Sequence, residues 1–306
     1  MAVSEATHAH SGAHALTEAQ ACTAPLQRIT LAGLQWSAAE PAGAPAICLH
    51  GWLDNACSFN ILGSRLGRKR TVTSFDLPGH GLSGARPQGY PYHMLDYVQD
   101  LAELLEAQPG PVHIIGHSLG GILAALLAAT DPKKLQSLTM IDSLGPYVAK
   151  AEDFPVRLKK GIQKALVRER GALAVYDSVK SAEQARQSGM LPLSAFAAAQ
   201  LVPRNLREVE GGWSWRTDRR LRNPSLSALT EEQVLACLAA IEVPVLLVRA
   251  ESGMLAADER FKRRTAAVRR LSVENVSGSH HCHIDGDVES ITTSIEQFML
   301  QTDPVL

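Results

Sequence analysis

A chain of 306 residues with 30 lysine and arginine side chains against 31 aspartates and glutamates carries a formal net charge of -1. That balance leaves no field to gather nucleic acid or an anionic membrane. Hydrophobic residues at 45% and charged residues at 20% suit a soluble globular chain at the upper edge of what one core supports. The five cysteines, at 22, 48, 57, 237 and 282, form no C-x-x-C pair, and their odd number leaves one unpaired in any disulfide scheme. Such usage fits a reduced, intracellular protein.

In chain order, the first residues, "MAVSEATHAHSGAHALTEAQ", have no hydrophobic periodicity, no basic n-region and no apolar h-region. They are expected to form a flexible tail over 1–24, with no signal peptide, in a cytoplasmic protein. Strand-length apolar runs follow: "ITLAGLQW" and "PAICLH", joined by the turn "AAEPAGA" as an expected hairpin, then "RTVTSFDL", "PVHIIGH", "LQSLTMID", "VPVLLVRA" and "LSVENV". Helical patterns lie between them, including "HMLDYVQDLAELLEAQ" and "LGGILAALLAAT". Uniformly apolar strands with interleaved helices predict an α/β fold with a mostly parallel sheet covered on both faces. Residues 146–230 break the rhythm with helical and charged stretches and no strand-like run. They are expected to form a helical cap inserted between two core segments, 25–145 and 231–306. No apolar run reaches the length of a membrane helix.

The stretch "GHSLGG" satisfies G-x-S-x-G with Gly116, Ser118 and Gly120, after an apolar strand and before an apolar helix. A sharp strand-to-helix turn of this kind holds a serine in a strained backbone conformation at the positive end of a helix dipole. A serine that merely capped the helix would not need glycines two residues to either side. Ser118 therefore reads as a nucleophile.

With three further motifs, the chain resembles the α/β-hydrolase family from about residue 27 to its end. "LHGWLDN", Leu49 to Asn55, is similar to the oxyanion loop after the third strand. "FDLPGHGLS", Phe75 to Ser83, is similar to the turn after the fourth. "GSHHCHID", Gly278 to Asp285, is similar to the terminal loop that carries the catalytic histidine. Within the family, the phrasing "HGWLDN", "DLPGHGLS" and "HSLGG", with "GGWSWRTDRRL" in the cap, most resembles the serine-hydrolase-like group. The resemblance implies an oxyanion hole made by the backbone N–H groups of Trp52 and Leu119, aimed at charge that develops in a tetrahedral intermediate. It also implies His280 as the general base, with His281 as the base if the register moves by one residue.

The position at which much of the family carries its acid falls on Gly253 in "LLVRAESGM". Two carboxylates are candidates to replace it. Asp142 closes the strand "SLTMID" and lies where some family branches place the acid; Glu251 stands two residues from the vacant slot. Asp142 is preferred. His280, His281 and His283 also raise the idea of a metal site. A loop of adjacent ligands, however, lacks the distant histidine or carboxylate that such a site needs, and no metal or cofactor is expected. Asp76, His80 and Ser83 read as structural, and Asp54 as a brace for its loop. Trp52, Phe59, Tyr147 and Trp213 are expected to line a mostly apolar substrate pocket.

The expected activity is that of a carboxylic ester hydrolase acting on a small-molecule ester, lactone or thioester through an acyl-enzyme. No nucleic acid or membrane partner is expected, and the chain would act as a monomer or homodimer. A non-hydrolytic enzyme on the same fold and a slow-turnover ligand sensor are the alternatives.

Overall fold

The computed structural model describes residues 17–130, 133–166, 174–188 and 192–304. His8, His10 and His14 of the tail lie outside them. The chain begins with β1 (Gln20–Pro25), β2 (Thr30–Trp36) and β3 (Ala46–Leu49), then α1 (Asn60–Leu66), β4 (Val72–Phe75), α2 (Met94–Glu106), β5 (Val112–His117), α3 (Leu119–Ala128) and β6 (Leu135–Ile141). The inserted segment holds α4 (Phe154–Leu166), β7 (Val175–Tyr176), α5 (Val179–Gln187), α6 (Ala195–Asn205), β8 (Leu206–Val209) and β9 (Gly212–Trp215). The chain returns through α7 (Glu231–Ala240), β10 (Val245–Ser252), α8 (Phe261–Ala267), β11 (Leu271–Ser279), α9 (Cys282–Asp285) and α10 (Val288–Thr302). No described helix is long and apolar enough to cross a membrane.

The main sheet has eight strands in the order β1-β2-β4-β3-β5-β6-β10-β11. β1 and β2 are antiparallel to their neighbours, and every pairing from β4 to β11 is parallel. The apolar runs of the central strands follow from this placement, because alternate residues must satisfy two separate cores. Val245 and Leu247 of β10 join the core under α2, α3 and α7, whereas Leu246, Val248 and Ala250 join the core under α1 and α10.

Two expectations are corrected. β2 pairs with β1 and β4 rather than forming a hairpin with β3, so Gln20–Pro25 belongs to the sheet and not to a tail ending at residue 24. The interval read as wholly helical contains a second sheet, β7-β9-β8. Its β8–β9 turn closes on the Val209–Gly212 pair with Gly211 at φ 83°, a backbone conformation that glycine adopts without strain. The strands are two to four residues long, too short to show a period of two in the sequence.

The insertion packs through α5 and α6, whose Ala182, Ala198, Leu201 and Val202 share a cluster with Ile284 of α9. Polar ties add to it. Arg204 binds the buried Asp76 at 2.9 Å, Asn205 donates to the Leu53 carbonyl at 3.1 Å, and Arg220 donates to the carbonyls of Arg86, Pro87 and Tyr90.

Candidate active site

The strands' carboxyl ends bring the distant motifs together, as parallel sheets do. Ser118 follows β5 at φ 49°, ψ -113°, and α3 starts at the next residue. This left-handed conformation is rare for a residue with a side chain and persists only where the surroundings enforce it. Two glycines permit it by close approach. A Cβ on Gly116 would stand 2.4 Å from the Gly121 nitrogen, and one on Gly120 would stand 2.0 Å from the Leu49 carbonyl oxygen. Helix and strand therefore touch backbone to backbone.

The loop from Leu49 to Asn55 sits beside this turn. The Leu77 N–H donates to His50 Nε2 at 2.9 Å, so His50 carries its hydrogen on Nδ1, which donates to the Gly51 carbonyl at 2.7 Å. The His50 carbonyl in turn accepts from the Gly120 N–H at 3.1 Å, and the Ser118 N–H is taken by Ile141. Between them, the Leu119 N–H is the first of its helix and has no intrahelical acceptor. Trp52 is half-buried and its ring N–H donates to the Leu221 carbonyl at 3.1 Å, fastening the loop to the insertion.

Of the two candidate carboxylates, Asp142 reaches the histidine. Its Oδ2 lies 2.6 Å from His280 Nδ1 and accepts from the Met254 N–H at 2.7 Å. Asp142 has φ 44° and is fully buried, while Glu251 is exposed. The vacant slot at Gly253 now has a cause. A Cβ there would stand 2.3 Å from the Asp142 carboxylate, so the acid from β6 occupies the space that a side chain from the end of β10 would need.

His281 and His283 are buried. His283 bonds the Ser58 hydroxyl at 2.8 Å and leans on the Phe59 ring, and His281 bonds Asp54 at 3.1 Å. Burial, reinforced by the neighbouring histidines, holds the His283 ring well below the usual imidazole range. Cys282 is likewise buried, and its thiol is pushed up to about 12, which leaves it inert. Asp76 accepts from the backbone of Ala56 and Leu82 as well as from Arg204, the arrangement of a loop brace.

A cavity of about 520 Å³ opens beside Ser118 and Asp142. Ile122, Leu144, Pro146, Tyr147, Met254 and Leu255 give it an apolar wall, and Asp258, Glu259, Arg260 and Arg264 border it. Both arginines are already engaged, Arg260 by Asp258 and Arg264 by Glu231 and the carbonyls of Leu144 and Pro146. Of the four expected pocket residues, only Tyr147 lines this cavity. Phe59 is fully buried in the sheet core and so cannot meet a substrate there. Trp213 packs half-buried inside the insertion, and Trp52 spans from loop to insertion. Bulk and apolarity fill a core as readily as they line a pocket, and no sequence signal separated the two. Met254 and Leu255 were missed because they follow the shifted acid position, which only the fold reveals.

Residues 46–289 match the model of the alpha/beta hydrolase family. The chain is 30% identical over 286 residues to a zebrafish (Danio rerio) protein described as serine hydrolase-like, covering 90% of this chain and 86% of that one. It is 26% identical over 265 residues to an esterase of Mycobacterium tuberculosis, covering 83% and 81%. Among solved structures, a hypothetical protein of Pseudomonas aeruginosa superposes with a TM-score of 0.85 at 34% identity, covering 92% of this chain and 99% of that one.

Proposed function

Because the chain belongs to the alpha/beta hydrolase family, close to the serine-hydrolase-like proteins, we propose that it is a serine hydrolase cleaving a carboxylic ester, lactone or thioester through an acyl-enzyme on Ser118. His280 Nε2 takes the hydroxyl proton as Ser118 Oγ attacks the carbonyl carbon. Asp142 holds the Nδ1–H tautomer and balances the imidazolium that forms. The oxyanion turns toward the N–H groups of Trp52 and Leu119, and its collapse expels the alcohol or thiol with the proton from His280. Water then repeats the sequence on the acyl group.

The observation that carries this reading is the 2.6 Å His280–Asp142 pair at the ends of β11 and β6, whose Asp142 borders the same cavity as Ser118. The apolar wall favours an acyl or alkyl group over a charged one. A fluorophosphonate probe tests it. Wild type should label on one residue, Ser118→Ala should not, and ester turnover should fall by about 10⁴–10⁶-fold. Labelling that survives in Ser118→Ala would overturn the reading.

A further inference from the structure

Three buried groups that the proposed reaction does not use meet beside the His280 loop. Asp54 comes from the segment after β3, His117 ends β5, and His281 follows His280. One ligand atom of each lies within 4.8 Å of the others. Asp54 Oδ2 is 3.1 Å from His281 Nε2 and 3.8 Å from His117 Nδ1. A distant carboxylate and a distant histidine, the two elements that the terminal loop lacked in sequence, are thus supplied by the fold.

Hydrogen positions follow from the partners. His117 Nε2 lies 2.9 Å from the His280 carbonyl, which can only accept, so Nε2 carries the hydrogen and Nδ1 presents a lone pair. That Nδ1 is buried and has no partner among the described residues. What it faces is a carboxylate oxygen, another acceptor, and 3.8 Å is beyond hydrogen-bond reach. Two acceptors facing each other out of water call for a positive charge between them. The space beside them is tight: a Cβ on Gly51 would stand 2.9 Å from His117 Nδ1 and 3.0 Å from Asp54 Oδ2, closer than a carbon packs, whereas a bound cation sits about 2.0–2.2 Å from such atoms.

We propose that Asp54, His117 and His281 bind one divalent transition-metal cation of the zinc type, and that its binding inhibits the enzyme. Two imidazoles and one carboxylate suit zinc, cobalt or nickel rather than magnesium or calcium. Ligand atoms around a tetrahedral zinc lie about 3.4 Å apart, given bonds of about 2.0–2.1 Å. The present separations of 3.1 and 3.8 Å bracket that spacing. Arg186 approaches the other oxygen, Oδ1, at 3.5 Å and leaves Oδ2 for the metal. On binding, the hydrogen shared by His281 Nε2 and Asp54 moves to His281 Nδ1 or to solvent, and the nitrogen lone pair takes up the cation. Inhibition follows from connectivity. The His280 carbonyl is held by one ligand and its next residue is another, so ligation shifts the base, and a displacement of about 1 Å costs on the order of 10²-fold. That consequence rests on the hydrolase reading; the binding does not.

The test uses the full chain with His8, His10 and His14 replaced by alanine to silence the tail. Zn²⁺ titration by calorimetry should give one equivalent, and Co²⁺ should show tetrahedral visible bands. Asp54→Asn and His117→Gln should each weaken binding by about 10-fold or more, and His280→Ala should bind undiminished. No saturable site, binding unchanged in both ligand variants, or binding lost in His280→Ala would overturn the proposal. If the variants do not fold, anomalous diffraction from Co²⁺-soaked wild-type crystals decides. A peak about 2.0–2.2 Å from the three named atoms supports the site, and one elsewhere overturns it. Saturation without loss of ester turnover removes the inhibitory part alone. A protein that binds metal but never hydrolyses an ester sinks the hydrolase reading instead.

Discussion

His280 and His281 are adjacent on one loop, and each pairs with a buried aspartate from a different strand end. They differ in which nitrogen is used and in what else holds the acid. His280 gives Nδ1 to Asp142 and leaves Nε2 for the proposed proton transfer, with its side chain 14% exposed; His281 gives Nε2 to Asp54 and is 7% exposed. Asp54 already has a guanidinium on its other oxygen, whereas among the described residues Asp142 has no ion-pair partner other than His280. The charge of Asp142 is therefore left for the imidazolium of the proposed reaction, whereas Asp54 has Arg186 on Oδ1 and keeps Oδ2 for His281 and the proposed cation. A histidine–aspartate contact becomes a catalytic pair through what it leaves unsatisfied, not through the contact itself.

The comparison breaks most sharply on the acids. Asp142→Asn keeps the shape but favours the wrong His280 tautomer, and should lower kcat/KM by about 10⁴-fold. Asp54→Asn should lower it by about 10-fold, through the loop alone. Glu251→Ala should leave it unchanged, since that side chain is exposed and apart from the pair. Kinetics on a short-chain nitrophenyl ester would measure all three, and an equal loss for Asp142→Asn and Asp54→Asn would erase the distinction drawn between them.

A smaller effect comes from the vacated slot. Gly253→Ala adds a methyl group 2.3–2.5 Å from the Asp142 carboxyl atoms, which must move aside. The base then loses its anchor in part, and kcat should fall about 10²-fold while the fold survives. Retained kcat in a folded Gly253→Ala protein would mean that the acid does not need its present position.

What could be read in the sequence follows from how local each signal is. The parallel sheet was legible because strands buried on both faces tend to be apolar at successive positions, as "AICL" of β3 is. Ser118 was legible because its strain demands glycines at fixed offsets. Asp142 was half legible: Gly253 marked a vacancy, but only the β6–β10 neighbourhood explains what fills it. The role of His117 was hidden, since it stands at an unspecified position inside G-x-S-x-G and acts through partners 63 and 164 residues away. Phe59 and Trp213 went astray for the opposite reason, a property shared by cores and pockets alike.

The smallest predicted effect concerns a histidine of the core, fully buried where His280 is only partly so. Burial, with His50 beside it at a ring distance of 5.0 Å, pulls His80 down to about 3. Its Nδ1–H donates to the Pro78 carbonyl at 3.1 Å, and its Nε2 is buried without a partner among the described residues. Above about pH 6.5 the ring is neutral both folded and unfolded and contributes no pH dependence. Between about 6.5 and 3 the unfolded chain binds a proton that the folded chain does not, so stability falls with pH by about 1.4 kcal/mol per unit. By pH 5 this one group should cost about 2 kcal/mol. His80→Gln removes the titration while keeping a donor for Pro78. Urea midpoints at pH 7 and pH 5 should therefore lie closer together in the variant than in wild type, and an undiminished difference would mean that the buried ring does not govern acid sensitivity.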